Sequence, residues 1–293
     1  MKGFNLNAFI AKHVIERKES MFQKDIEANA SLLKERIAGK SVLVIGGAGT
    51  IGSSYIKAML RFGPGKLYVV DINENGLTEL VRDVRSATGL IIPEEFKTYP
   101  INFGDPVFEK ILINEGPFDI VANFAAHKHV RSEKDHYSIE AMVDNNVLKA
   151  KRLLDLLVEF PPEHFFCVST DKAANPVNVM GASKKLMEEV ILAYSKKIPI
   201  TTARFANVAF SNGSLPFGFI ERIMKKQPLS APLSIKRYFV SPTEAGEICL
   251  MTCIMGNSGE IFFPKLNESN FETFSNIAER FLKSLGYEPD FCN

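Results

Sequence analysis

One glycine-rich turn constrains this chain more than any other feature. The apolar run SVLVIG at 41–46 leads into Gly46-Gly47-Ala48-Gly49-Thr50-Ile51-Gly52, and the amphipathic stretch SSYIKAMLRF follows. Gly46, Gly49 and Gly52 form a GxxGxxG pattern at a strand-to-helix turn. Glycine is needed there because backbone N–H groups must approach a pyrophosphate at the positive end of the helix with no Cβ in the way. Asp71 closes the next apolar run, KLYVVDI, 19 residues after Gly52. A carboxylate at that place accepts hydrogen bonds from the hydroxyls of an adenosine ribose. The joint pattern implies a bound dinucleotide. An acid there repels a 2′-phosphate and no arginine adjoins it in VVDINENG, so NAD is expected rather than NADP. Asn102, after the third strand, stands where it can contact adenine, although a loop asparagine also serves as a turn residue.

Around this turn the chain alternates. SVLVIGG, KLYVVDI, TYPINF, FDIVANFAA, HFFCVST and ITTARFANVAF are six β-branched or aromatic runs, most of them separated by amphipathic helical segments. Such alternation makes βαβ units and a parallel sheet, so the expected fold is α/β, a Rossmann-type doubly wound parallel sheet. Residues 1–39 read as a helical extension, with Leu6, Phe9, Ile10, Val14, Ile26, Leu33 and Ile37 at helical spacing. Residues 40–214 read as the NAD-binding domain. From Leu215 the alternation weakens and prolines recur at 216, 228, 232, 242 and 264, which sets off residues 215–293 as a smaller substrate-binding lobe. That lobe stops at LGYEPDFCN without a capping element and is expected to be truncated.

Composition excludes several partners. Thirty-five basic and 34 acidic side chains leave a net charge of +1, which offers no electrostatic footprint for nucleic acid. No apolar run approaches the roughly 20 residues of a membrane-spanning helix, and MKGFNLNAFIAKH lacks the pattern of a signal peptide. The four cysteines, Cys167, Cys249, Cys253 and Cys292, are too few for a disulfide framework and point to a cytoplasmic location. Cys249 and Cys253, four apart in a helical stretch, have no histidine pair to complete a zinc site and read as core residues. No metal is expected.

The segment after HFFCV carries the chemistry. Thr170, Asp171 and Lys172 follow a parallel strand, at the end where a doubly wound sheet presents polar groups to its ligand. Met180 and Lys184, four apart at the start of a helix, project from one face.

With these motifs the chain resembles the extended short-chain dehydrogenase/reductases, and within them the nucleotide-sugar 4,6-dehydratases of capsule and flagellin-sugar biosynthesis, over roughly residues 38–265. GGAGTIG resembles their glycine loop and NFAAHKHVRSEKD their AAxKHV loop. STDKAANPVNVMGASKKLME looks like their SxDKAxxPxxxMGxxK segment, the most specific match. RFANVAFSNGS and RYFVSPTEA are similar to RFGNVxGSxGS and RYFMTxxEA. Most short-chain dehydrogenases use YxxxK, but the tyrosine place here is Met180, and no tyrosine of this chain has a lysine four residues later. Methionine exchanges no proton. The larger 4,6-dehydratases share this methionine and rely on a Thr-Asp-Lys run, which is intact here.

The resemblance implies a lyase with tightly bound NAD, most plausibly a UDP-N-acetylglucosamine 4,6-dehydratase. In its cycle the hydride leaves sugar C4, the C5 proton is removed, water departs from C6 and the hydride returns to C6. The roles implied are a hydrogen bond from Thr170 to the C4 oxygen, protonation of the leaving hydroxyl by Asp171, and removal of the C5 proton by Lys172. Met180 stands beside them, and Lys184 binds the nicotinamide ribose. Gly46, Gly49, Thr50, Ile51, Gly52, Asp71, Asn102 and Ala125 surround the cofactor, while Lys128, His129, Asn207, Ser211 and Arg237 contact the substrate. Asn146 matches a helix asparagine that organises water near the active lysine. The chain departs from the family at Arg131, at Lys149-Ala150, and at Ala206 and Phe210, which replace two glycines and imply a narrower pocket. The methionine-type site leans towards retention at C5, and a homo-oligomer is expected. Alternatives are a nucleotide-sugar epimerase or reductase, which Met180 disfavours, and a non-catalytic NAD-binding relative.

Overall fold

The computed structural model describes residues 3–266 and 271–290, without the side chains of residues 131 and 132. Cys292 and the side chain of Arg131 therefore lie outside the described residues. Helices α1 (Leu6–His13), α2 (Gln23–Ala28) and α3 (Ala30–Ile37) come first. Strand β1 (Ser41–Ile45), helix α4 (Thr50–Leu60), β2 (Lys66–Val70), α5 (Glu74–Ser86), β3 (Glu95–Tyr99), α6 (Pro106–Glu115) and β4 (Ile120–Asn123) then alternate. A helical run follows, made of α7 (His136–Val143), a π-helical turn (Asp144–Leu148) and α8 (Lys149–Glu159), and it leads to β5 (His164–Val168), α9 (Val179–Ala193) and β6 (Ile200–Ala203). The remainder comprises β7 (Asn207–Val208), α10 (Leu215–Met224), β8 (Lys236–Val240), α11 (Pro242–Met255), β9 (Ile261–Phe262), β10 (Phe271–Thr273) and α12 (Phe274–Ser284).

The chain divides into two units. The larger holds Asp25–Phe205 and Gly246–Pro264. Its seven-stranded sheet has the order β3-β2-β1-β4-β5-β6-β9, and every pairing in it is parallel. This is the doubly wound α/β fold that the alternating runs imply. One face of the sheet packs Leu43, Ile45, Phe165 and Cys167 against Phe108, Leu154, Met187 and Ile191. Each such fully buried side chain stabilises the fold by about 1.5–3 kcal/mol. Elsewhere in this unit the Tyr55 ring meets Phe124 and Phe166, and its hydroxyl donates to Cys253 Sγ at 3.4 Å. Cys249 and Cys253 are buried free thiols, as their reading as core residues requires.

Some strands fall differently from the apolar runs. β3 is Glu95–Tyr99, because Pro100 has no N–H to continue the ladder, and Phe103 of TYPINF turns into the core instead. ITTARFANVAF supplies two strands, β6 and β7, which belong to different sheets. β9 is a two-residue edge strand without a legible alternation.

The smaller unit gathers Met1–Lys24, Ala206–Ala245 and Lys265–Asn293. Its three-stranded sheet has the order β10-β8-β7, with β8 antiparallel to β10 and parallel to β7. Phe9, Ile10, Val14, Phe210, Phe219, Phe239, Ile277 and Phe281 form its core. The boundaries thus differ from those expected at 39/40 and 214/215. Residues 1–24 group with the smaller unit because α1 buries Phe9 and Ile10 in that aromatic core. Residues 25–39 stay with the larger unit, where Leu33 and Ile37 are fully buried and Arg36 Nη1 donates to the Ile254 carbonyl at 2.7 Å.

Candidate cofactor and catalytic site

The order of the large sheet reverses between β1 and β4, and ligands of doubly wound folds bind outside the carboxyl ends of the strands at such a point. The glycine loop follows β1 and the segment Phe124–His129 follows β4, so both stand at this place. They touch. A Cβ on Gly46, whose φ is +76°, would lie 2.5 Å from Ala125 N. A Cβ on Gly52 would lie 2.4 Å from the Gly46 carbonyl oxygen, whereas one on Gly49 would meet only that same oxygen, at 3.5 Å. The space in front of Gly49 is therefore open.

Gly49 is the N-cap of α4 and offers no side-chain cap, and the N–H groups that begin a helix are the ones its own carbonyls do not reach. Such an end accepts an anion. Asp71 closes the arrangement: Oδ2 accepts from Ala48 N at 3.0 Å and Oδ1 from Asn73 N at 2.9 Å. The carboxylate is thus fixed against the glycine loop with lone pairs left for ribose hydroxyls. This donor and acceptor set fits an NAD adenosine diphosphate half. Asn102 forms a local turn, its Oδ1 accepting from Gly104 N at 2.8 Å.

On the catalytic side, Thr170 Oγ1 donates to Asp171 Oδ1 at 2.9 Å, and Lys172 Nζ donates to the same oxygen at 3.3 Å. The side chains of Asp171 and Lys172 are 51% and 36% exposed. The buried lysine is Lys184 instead. It is 4% exposed, and Nζ donates to the Val168 carbonyl at 2.7 Å and approaches Met187 Sδ at 3.2 Å. Burial pulls its pKa down from the ordinary lysine range. Met180 is buried on the same helix.

Residues not singled out from sequence, together with Asn146, hold this helix in place. Asn178 caps α9 by accepting from Gly181 N at 2.8 Å, and Glu133 Oε1 accepts from Met180 N at 2.8 Å. Glu188, fully buried, accepts from Arg204 Nε at 2.8 Å and from Arg204 Nη2. Asn146, in the π-helical turn, clamps His127 through both backbone groups at 2.8 and 2.9 Å and donates to Ser183 Oγ at 3.0 Å. It thus joins the loop after β4 to α9 and makes no bond to either active-segment lysine. The Asn178 cap was legible as an asparagine before a helix; the contacts of Glu133 and Ser183 left no sequence signal.

Lys128 and His129 lie on that loop and are exposed. Crowding by protein atoms lowers the pKa of Lys128, and partial burial, then the charge of Lys128, lowers that of His129. Asn207, Ser211 and Arg237 belong to the smaller unit. Arg237 is exposed on β8, beside β7 with Asn207, and pairs in register with Glu272 of β10. Phe210, at a family glycine place, takes a left-handed φ of +53°. Its ring packs against Phe9 and Phe281, so it fills the core of this unit, which corrects the expectation that it narrows a pocket. Among the described residues no three His, Cys, Asp or Glu side chains group to hold a metal, and no helix is long and apolar enough to cross a membrane.

Strand order and the glycine loop put the larger unit in the Rossmann-type, dinucleotide-binding class of doubly wound folds. Residues 42–292 match the family described as polysaccharide biosynthesis protein, and the chain belongs to that family. It is 33% identical over 259 residues, 86% of this chain and 74% of the relative, to an uncharacterized membrane protein of Methanocaldococcus jannaschii. It is 28% identical to the probable polysaccharide biosynthesis protein EpsC of Bacillus subtilis, covering 87% of this chain but 42% of that one. A UDP-N-acetylglucosamine 4,6-dehydratase (inverting) of Campylobacter jejuni is 24% identical, with 85% and 73% covered. Among solved structures, the dTDP-glucose 4,6-dehydratase DesIV of Streptomyces venezuelae, with NAD bound, superposes with a TM-score of 0.69 at 21% identity, covering 84% of this chain and 81% of that one.

Proposed function

We propose that the protein is an NAD-dependent nucleotide-sugar 4,6-dehydratase acting on UDP-N-acetylglucosamine in surface-polysaccharide or glycan-sugar biosynthesis. The observation that carries this reading is the hydrogen-bonded set Thr170–Asp171–Lys172 at the end of β5, next to an α9 that presents Met180 and Lys184 where other members present tyrosine and lysine. When bound, NAD supplies a hydride acceptor for sugar C4 and a donor for C6. The glycine loop, the start of α4 and Asp71 would hold its adenosine diphosphate half, with Ala125 beside them. Lys184 would hold the nicotinamide ribose.

The chain's own groups account for the protons. Thr170 Oγ1 donates to Asp171 Oδ1 at 2.9 Å, and Lys172 Nζ lies 3.3 Å from the same oxygen. As the hydride leaves C4, the C4 hydroxyl passes its proton to Thr170 and Thr170 passes its own to the Asp171 carboxylate. Asp171 then gives that proton to the departing C6 hydroxyl, which leaves as water, while Lys172, acting as the free amine, takes the C5 proton. As the hydride reaches C6, Lys172 returns the proton to C5, so each group ends as it began. Lys128, His129, Asn207, Ser211 and Arg237 are the substrate contacts in this reading, and Arg237 brings the planar fork suited to a diphosphate. The reading includes a cytoplasmic location and a homo-oligomer, the first supported by the buried free thiols Cys167, Cys249 and Cys253.

The test is incubation with UDP-N-acetylglucosamine, with and without added NAD, followed by mass spectrometry of the nucleotide sugar. Loss of about 18 Da, one water, without accumulation of NADH is expected, and Asp171→Asn abolishes it. An unchanged mass with an altered sugar NMR spectrum makes the protein an epimerase. No change in either leaves a non-catalytic NAD-binding relative.

A further inference from the structure

The N-terminal segment is wired to the strand that carries Arg237. Glu244 is fully buried, and both of its oxygens are used. Oε1 accepts from Arg17 Nε at 2.9 Å and from Met21 N at 3.0 Å. Oε2 accepts from Arg17 Nη2 at 3.0 Å and from Ser241 N at 2.8 Å. The same Arg17 Nη2 reaches the Phe239 carbonyl of β8 at 3.4 Å. Arg17 therefore holds the carboxyl end of β8 and the turn that follows it.

A second arginine holds the neighbouring strand. Arg280 Nη1, on α12, donates to the His13 carbonyl at 2.8 Å and to Glu272 Oε2 at 2.8 Å, with Glu16 Oε1 at 3.4 Å. Glu272 is the β10 residue in register with Arg237. The turn from His13 to Arg17 is thus fastened to the end of β8 and, through Arg280, to the partner of Arg237. It is a shaped turn, since Glu16 adopts a left-handed φ of +51°, a conformation that side chains other than glycine seldom take.

We propose that Arg17 is a positioning residue for Arg237, and that the His13–Arg17 turn is a working part of the site that grips the nucleotide diphosphate. The proposal rests on the reading of Arg237 as a substrate contact. Arg17 is set apart from an ordinary anchor by where its bonds end. A guanidinium fork against a buried carboxylate fixes orientation as well as distance, and here it fixes the strand whose exposed end bears Arg237.

Calorimetric titration with UDP, in parallel with NAD and with thermal melting, tests this in the full chain. Arg237→Ala is expected to weaken UDP about tenfold. Arg17→Gln is expected to weaken it by a similar factor with NAD affinity unchanged, and the double variant to bind no worse than Arg237→Ala alone, because both act through one contact. Arg17→Lys, which keeps the charge but loses the fork, falls between and serves if Arg17→Gln does not fold. In turnover, Arg17→Lys raises KM for the nucleotide sugar with kcat within about a factor of two. If Arg237→Ala weakens UDP and neither Arg17 variant does, or if Arg17 variants only lower the melting point, the proposal is wrong. If Arg237→Ala itself leaves UDP binding intact, the reading of Arg237 fails, and the positioning role falls with it.

Discussion

The ammonium of Lys184 donates to the Val168 carbonyl at 2.7 Å, so a cation from α9 is bound to the strand that ends in Thr170, Asp171 and Lys172. Burial lowers its pKa, with Cys167 and Glu188 as the nearby titratable groups that oppose the shift. Between the lowered value and the ordinary lysine range, the unfolded chain holds a proton that the folded chain has given up. Stability therefore rises with pH across that window and declines as pH falls through it. Lys184→Met removes this contribution. Urea midpoints of the variant, measured from about pH 7 to about pH 10, climb less steeply than those of the wild type, and NAD affinity falls.

The glycine loop separates two effects of one added methyl group. Gly52→Ala forces a Cβ to 2.4 Å from the Gly46 carbonyl oxygen, so the loop opens and NAD binding weakens by about a hundredfold. Gly49→Ala meets nothing closer than 3.5 Å and leaves the melting temperature near that of the wild type. A loss of NAD affinity in Gly49→Ala then reports the cofactor lying against that residue. Calorimetry and melting on both variants decide the matter.

Glu188 and Arg204 form a forked ion pair, fully buried on the carboxylate side. Removing one partner strands the other charge, and Arg204→Met or Glu188→Leu each costs about 3–5 kcal/mol. The double replacement recovers most of that loss, since an apolar pair of similar volume is often neutral. Denaturant unfolding of the three variants gives the comparison.

Phe210 inverts the usual order of truncations. Its ring contributes core packing with Phe9 and Phe281, worth about 3–5 kcal/mol against alanine, while its left-handed backbone costs about 1–2 kcal/mol for any residue but glycine. Phe210→Gly is therefore less destabilising than Phe210→Ala, by about 1 kcal/mol. If chemical denaturation ranks the alanine variant above the glycine variant, backbone strain does not set the order at this position.

What could be read from sequence follows a physical division. Gly46, Gly49, Gly52 and Asp71 lie within 26 residues and announce themselves by local rules for strands, turns and helix starts, as does the contiguous Thr170-Asp171-Lys172. The smaller sheet was not legible, because β7 has two residues and β10 three, too few for an alternating pattern. Nor was the clamp from Asn146 to His127, since a π-helical turn shifts helical register without a mark in composition. The pairs Arg17–Glu244 and Phe9–Phe281 join residues more than 220 positions apart, and a side chain's partner at that distance is set by tertiary packing. The N-terminal helices were legible as amphipathic, but which core they serve was not.

The interleaved origin of the smaller unit bears on how the protein is made. Phe9 is synthesised well before the rings it packs against, Phe210 and Phe281. The β1–β6 part of the parallel sheet lies within one continuous stretch and can begin to assemble during translation. Residues 3–17 must wait for Phe210 and Phe281, with Phe4, Phe9, Ile10 and Val14 lacking those partners in the meantime. An apolar segment held open that long is a natural binding site for nascent-chain chaperones, so the efficiency of expression depends on the N-terminal phenylalanines as much as on the stability of the finished fold.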